Sequence, residues 1–248
     1  MILYAGGGPM TYGVGISHPI TTHMTSNQVL NTMRNHYAWP SVLGRKLGMS
    51  GVKNDAHVMT DNTRIAKSLM TWVHDDWLDN NQSPDNLFVV IGWVDIKRYG
   101  HFTNDEFADI SSQRLIGEYQ TTLEPLVDRD IWFWWDQFIH LVIQTQAFLI
   151  QHGIRYVMFY EEQAPINHLL QFDDWKSTRE FMRKYNHMVV RSNFLGFMDP
   201  DQSATSFLMD NQSNIPLLTP NGHPYADGHA LWADRLHTWI SQNRFHVT

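Results

Sequence analysis

The chain has 248 residues, a formal net charge of -7, no cysteine and no run of basic residues; it is 43% hydrophobic and 17% charged. This composition excludes intrinsic disorder and a nucleic-acid backbone binder, and leaves no disulfide, thiolate nucleophile or cysteine-ligated metal. The length fits one α/β domain covering residues 1–248.

The chain opens on a short apolar run, Ile2 to Ala5, that breaks into Gly6-Gly7-Gly8-Pro9 and then Thr11-Tyr12-Gly13. This pattern predicts a central strand entering a tight turn, whose glycines permit positive φ and close approach of backbone or ligand. A polar loop with His18, Pro19 and His23 covers residues 16–26. Helices are expected over 27–36 and 39–47, the second with Pro40 in its first turn and Gly48 as a stop, and a short strand over 52–58. Thr60 to Thr63 offers a capping cluster before a helix over 64–78, in which Ile65, Leu69, Trp72, Val73 and Trp77 recur at helical spacing.

Leu87 to Ile91 is the clearest buried strand, and it ends in Gly92-Trp93-Val94-Asp95. Its continuous apolar character suits a parallel sheet covered on both faces. Residues 96–124 read as a polar, mostly irregular insertion with a short helix near 113–119. A long helix is expected over 125–152, a fourth strand over 154–160, helical pieces over 175–190 and 203–210, and a last helix over 226–242. The apolar stretch from Ile131 to Ile150 is broken by Asp136, Gln137, His140, Gln144 and Gln146, so it predicts a core helix and no membrane span. The N-terminus shows no signal-peptide pattern, and the compartment stays open.

Strand and helix alternate throughout, predicting a three-layer α/β/α domain with a mainly parallel sheet. Sites in such sheets lie at the carboxyl ends of the strands. Three segments qualify: Gly6 to Gly13, Gly92 to Arg98, and the loop Thr219-Pro220-Asn221-Gly222-His223-Pro224.

This order of glycine turn, glycine-ended strand and late His-Pro resembles the SGNH (GDSL-type) hydrolases. It is similar in particular to divergent SGNH proteins of large tailed phages, through Asn62-Thr63-Arg64-Ile65, Val89-Val90-Ile91-Gly92-Trp93 with Arg98, Gly222-His223-Pro224, and Gly228-His229-Ala230-Leu231-Trp232-Ala233. The resemblance implies a flavodoxin-type sheet, a serine in the first turn, and a late histidine base oriented by a carboxylate three residues before it. Aligned in this way, Pro9 stands at the nucleophile position, Gly8 at the neighbouring aspartate, and Pro220 at the orienting acid. Proline has neither hydroxyl nor N–H, so it can neither attack a carbonyl nor donate to an oxyanion.

The expectation is a degenerate SGNH-like protein, a non-hydrolytic binder or structural component. The alternative is an esterase, deacetylase or acyltransferase on a carbohydrate or small acyl ester. It would use His223 as base with Thr11 as a substitute nucleophile, although Thr11 also suits a local capping role. Candidate binding residues are Gly8, Pro9, Asn62, Gly92, Trp93, Asp95, Arg98 and Asn221, with Asn62 equally suited to a helix cap. Fourteen histidines show no tight ligand spacing, so neither metal nor other cofactor is expected. Asp75-Asp76, Glu161-Glu162 and Asp173-Asp174 are sequence neighbours whose side chains point apart, which makes them weak acid–base pairs, although Glu161 and Glu162 follow the fourth strand at the active edge. The partners implied are a small-molecule or carbohydrate ligand, and a protein or a second copy meeting the aromatic segment 131–138. The resemblance also implies the cytoplasm of an infected host, or a virion, as the location.

Overall fold

The structure is a computed structural model. It describes residues 1–16, 27–58, 60–95, 99–103, 106–110, 131–162, 183–185, 187–197, 199, 202–212 and 216–243. Four strands, β1 (Ile2–Gly6), β2 (Gly51–Asn54), β3 (Leu87–Trp93) and, taken sixth in the chain, β6 (Arg155–Tyr160), form one parallel sheet in the order β2-β1-β3-β6. β1 pairs with Leu87–Ile91 from Ile2 onward, and β3 pairs with β6 from Phe88 opposite Arg155 to Trp93 opposite Tyr160. Beyond β6 the Leu195 N–H donates to the Met158 carbonyl at 2.8 Å, and Phe194 forms a single parallel bridge there, the start of a fifth strand position.

The sheet is buried on both faces because its strands alternate between two apolar clusters. Tyr4, Leu87, Val89, Ile91, Trp93, Tyr156, Met158 and Tyr160 face one cluster, which α4 (Asn62–Thr71) and α5 (Ile131–Gln151) complete with Ile65, Leu69, Trp135, Phe138, Ile139 and Val142. Leu3, Ala5, Phe88, Val90, Val157 and Phe159 face the other, closed by Trp39 and Leu43 of α3 (Trp39–Lys46), Leu208 of α6 (Ala204–Asp210), and Trp232 and Leu236 of α7 (Ala226–Gln242). A period of two on four strands, with helices over each face, gives the expected three-layer α/β/α architecture.

The remaining helices are α1 (Pro9–Tyr12), a single turn directly after β1, and α2 (Asn27–Tyr37). α4 starts on an Asp61 cap that accepts the Arg64 N–H at 2.7 Å, as the Thr60–Thr63 cluster predicts. It gives way to a π-helical turn over Trp72–Leu78, where one regular helix to Leu78 is expected. The second strand is shorter than its predicted span and stops at Asn54. Within the supposedly irregular insertion, β4 (Tyr99–Thr103) and β5 (Glu106–Ile110) pair as an antiparallel hairpin with Phe102 opposite Phe107. The helix predicted near 113–119 and most of the pieces over 175–190 lie outside the described residues. Among the described residues no helix is long and apolar enough to cross a membrane.

Candidate functional site

The carboxyl ends of β1, β3 and β6 converge on one buried side chain, Glu161, the first residue after β6. Gly8 is the cap residue of α1 and Pro9 its first helical residue. A helix start leaves backbone N–H groups without intrahelical acceptors, and proline suits this position because its missing N–H is not needed. Gly8 has no side chain to cap the turn, and Glu161 supplies the acceptor from the end of β6, two strand positions away. The Glu161 carboxylate accepts the N–H of Gly8 at 2.9 Å, of Met10 at 3.1 Å and of Thr11 at 3.2 Å. It also accepts the Thr11 hydroxyl in a short bond.

Glycines make this approach feasible. A Cβ on Gly7 would lie 2.3 Å from a Glu161 oxygen, one on Gly8 2.3 Å from Val94 Cγ1, and one on Gly92 2.7 Å from Glu161 Cγ. None of these three has positive φ; in the stretch from Gly6 to Gly13 it is Gly13, closing α1, that takes it, at 94°. The glycines of the turn and of the β3 end give space to an internal carboxyl group.

The backbone of Glu161 is equally engaged. Its N–H donates to the Trp93 carbonyl at 2.9 Å, and its own carbonyl accepts the Thr205 N–H at 3.1 Å and the Thr205 hydroxyl at 2.8 Å. Burial pushes the carboxyl up to about 7, while the Thr11 hydroxyl and the Gly8 N–H pull the other way and Glu162 adds to the rise. Glu161 is buried and Glu162 half-buried, as the alternation of adjacent side chains requires.

The rest of the rim is tied down by backbone contacts. Asn54 at the end of β2 donates its amide to the Thr11 carbonyl at 2.9 Å, and the His57 N–H reaches the Gly7 carbonyl at 3.2 Å. Asn62 clamps Val94 in both directions, accepting its N–H at 2.9 Å and donating to its carbonyl at 3.0 Å. The Asn62 amide therefore fixes the β3 end, beside the Asp61 cap. Gly92 and Trp93 are buried within β3, Asp95 is half-buried just past it, and Arg98 lies outside the described residues.

His223 stands in a separate turn. Its N–H donates to the Thr219 hydroxyl at 3.1 Å and its carbonyl accepts the Thr219 N–H at 2.7 Å, around an exposed Asn221 and a Gly222 at φ 78°. The His223 backbone packs against Gly15, where an added Cβ would lie 3.2 Å from both its Cβ and its carbonyl oxygen. The turn thus meets the segment after α1, while the Thr11 hydroxyl is engaged with Glu161 and fully buried. His229, six residues on, is also fully buried. Its Nδ1 accepts the Trp39 N–H at 3.3 Å and caps α3, which Ala38 cannot do. Burial pushes its imidazole down to about 4.

Among the described residues one group could hold a cation, His74 with Asp75 and Asp79 on the π-helical turn. All three are exposed, and the ring already bonds Asp75 at 2.9 Å. In the aromatic segment 131–138, Trp135 and Phe138 are buried, with Phe138 edge-on to Trp93 at 5.8 Å, and Phe133 and Trp134 are half-buried. Sequence reasoning ranked Glu161 below His223 and Thr11. Its signal is a carboxylate directly after a strand that is apolar and aromatic beyond Arg155, opposite a turn of three glycines and a proline.

The chain belongs to a family of unknown function, DUF6071, whose model matches residues 20–246. No curated protein matches it in sequence. Among solved structures it is similar to a member of the lipolytic protein G-D-S-L family from Veillonella parvula DSM 2008, at 10% identity and a TM-score of 0.49 over 98% of this chain and 99% of that one. It is similar to the acetyl xylan esterase AlAXEase at 12% identity and a TM-score of 0.46, over 97% and 100% of the two chains. It is similar also to Est24, a carbohydrate acetylesterase from Sinorhizobium meliloti, at 7% identity and a TM-score of 0.43, over 97% and 98%.

Proposed function

We propose that this chain is a non-hydrolytic binding or structural protein on an SGNH-like scaffold. The observation that supports this reading is the occupied turn. Ester hydrolysis through a covalent intermediate needs an accessible nucleophile, a base beside it and free donors for the oxyanion. In the β1–α1 turn the N–H groups of Gly8, Met10 and Thr11 are committed to Glu161, and Pro9 brings no hydroxyl. Thr11 donates its hydroxyl to the same carboxylate and is fully buried. A ligand of this edge, a small polar molecule or a carbohydrate, would meet Asp95, Asn221 and His223, which are half-buried or exposed. A place in the particle of a large tailed phage rests on the sequence resemblance alone.

Hydrolysis of short-chain aryl acetates and butyrates, and of acetylated oligosaccharides, tests the reading on the parent chain beside His223→Ala. The expected outcome is a rate indistinguishable from uncatalysed background for both. Turnover by the parent that disappears in His223→Ala would establish a working base, and the chain would then be an esterase, deacetylase or acyltransferase with a non-standard nucleophile.

A further inference from the structure

The segment from Leu217 to Tyr225 is a short hairpin that carries His223. The Tyr225 N–H donates to the Leu217 carbonyl at 2.9 Å, Leu218 bridges Pro224 in the antiparallel sense, and the Thr219 N–H donates to the His223 carbonyl at 2.7 Å. Its tip is a β-turn of Thr219, Pro220, Asn221 and Gly222, closed by the Gly222 N–H on the Thr219 carbonyl at 2.9 Å. Pro220 and Asn221 are exposed, and a Cβ on Gly222 would meet no atom within 4 Å among the described residues. Asn221-Gly222 is also the single Asn-Gly pair in the chain. Such a pair is chemically labile, because glycine has no Cβ to obstruct the approach of its own nitrogen to the preceding side-chain amide. A second pair of the same chemistry, Asp227-Gly228, lies in the first turn of α7. There the helix fixes the backbone, Gly228 is buried, and an added Cβ would stand 2.4 Å from the Leu217 carbonyl oxygen. The fold therefore leaves one labile pair open and locks the other.

We propose that Asn221 is a modification site, where ring closure with Gly222 turns a neutral amide into a carboxylate two residues from His223. The Gly222 nitrogen gives up its proton and attacks Asn221 Cγ. The new N–Cγ bond forms as the Cγ–Nδ2 bond breaks, and the amide nitrogen leaves as ammonia, taking up a proton in exchange. Water then adds to either carbonyl of the succinimide ring. One opening gives aspartate; the other gives isoaspartate, whose main chain runs through the former side-chain carbon. No oxidant or reductant is needed, and water is the only co-reactant. To react, the Gly222 N–H must leave the Thr219 carbonyl. That is one bond at an exposed tip, which can open locally while the Thr219–His223 and Leu217–Tyr225 bonds hold the base of the hairpin. The chemistry stands whatever the chain binds. Its consequence for a ligand rests on the binding edge proposed above, where Asn221 and His223 would face a new negative charge.

The test is ageing of the full, folded chain at neutral and at mildly alkaline pH, followed by peptide mass spectrometry and by enzymatic methylation of isoaspartate. The peptide holding Asn221 should gain the mass difference between aspartate and asparagine, as a mixture of aspartate and isoaspartate. It should do so severalfold faster than the peptides holding the other asparagines, and faster at the higher pH, because the attacking nitrogen must lose its proton. Asn221→Gln, which would need a larger ring, should lose the conversion at that position. The peptide holding Asp227-Gly228 should stay free of isoaspartate until the chain is unfolded in urea. The parent chain decides alone, so a variant that fails to fold leaves the test intact. Conversion at Asn221 no faster than at the other asparagines, conversion in urea only, aspartate without isoaspartate, or equal isoaspartate at Asp227 in the folded chain overturns the assignment.

Discussion

Glu161 and His229 are two buried ionisable side chains, one directly after β6 and one in α7, and they behave in opposite ways. Each accepts backbone N–H groups from the early part of the chain. His229 takes one, from Trp39; Glu161 takes three, and a hydroxyl besides. The imidazole is held neutral by burial, which suits a cap needing only one lone pair. The carboxyl collects donors that favour its charged form in a place that penalises charge, so it is brought to about 7. Burial alone therefore does not separate a structural group from a responsive one. The number and kind of partners do.

The largest effect that would break this comparison is removal of each group in turn. Glu161→Ala strands three buried N–H groups and a hydroxyl and leaves a cavity walled by glycines, so unfolding in urea should show a loss of about 4 kcal/mol. His229→Ala strands one N–H and empties a core site, with an expected loss of about 2–3 kcal/mol. Equal losses, or a smaller one at Glu161, would mean that the four bonds to its carboxylate are not formed together in solution.

Much of this architecture was legible from residue order. Leu87 to Ile91 reads as a doubly covered parallel strand because all its positions are apolar, and β1 reads as central because its apolar run opens into a functional turn. The Asp61 cap and the last helix follow from capping chemistry and periodicity. The hairpin over 99–110 was not legible, since Tyr99-Gly100-His101-Phe102-Thr103 has neither a long apolar run nor clear alternation. The π-helical turn was hidden for a different reason: Trp72, Val73 and Trp77 suit a regular helix as well. In the site, the missing hydroxyl at Pro9 could be read directly. The group that fills the turn could not, because Glu161 reaches it from about 150 residues away and looks in sequence like half of a surface acid pair. Spacing arguments see local neighbours, and here the decisive contact is a tertiary one.

The pH dependence of stability sharpens the contrast. The Glu161 carboxyl sits at about 7 in the fold against an ordinary 4.5, so its contribution is fully present below pH 4.5 and is lost as the pH rises to 7. For His229, at about 4 against 6.5, the contribution is fully present above pH 6.5 and is lost as the pH falls toward 4. Between pH 4.5 and 6.5 the two slopes oppose each other, and the parent profile should be flat with respect to them. Relative to the parent, Glu161→Gln should gain stability as the pH rises through this range and on to 7, and His229→Gln should lose it as the pH rises from 4 to 6.5. Each difference spans up to about 3 kcal/mol. Denaturation midpoints collected at half-unit steps read both curves. Difference curves of the same sign would show that one of the two groups is not buried as described.

The smallest effect is expected at His223, the residue that the sequence pattern favours most as a base. Its backbone is tied into the fold: the N–H and carbonyl pair with Thr219, and Gly15 packs on the Cβ and the carbonyl oxygen. Alanine keeps every one of these atoms and removes a half-exposed ring. His223→Ala should therefore change the unfolding free energy by no more than about 0.5 kcal/mol. A loss above about 1 kcal/mol would mean that the imidazole itself is tied into the fold, as that of His229 is. A near-zero change would show that the fold does not depend on the ring. Any change in ligand binding or turnover in that variant could then be assigned to the missing ring, with the scaffold intact.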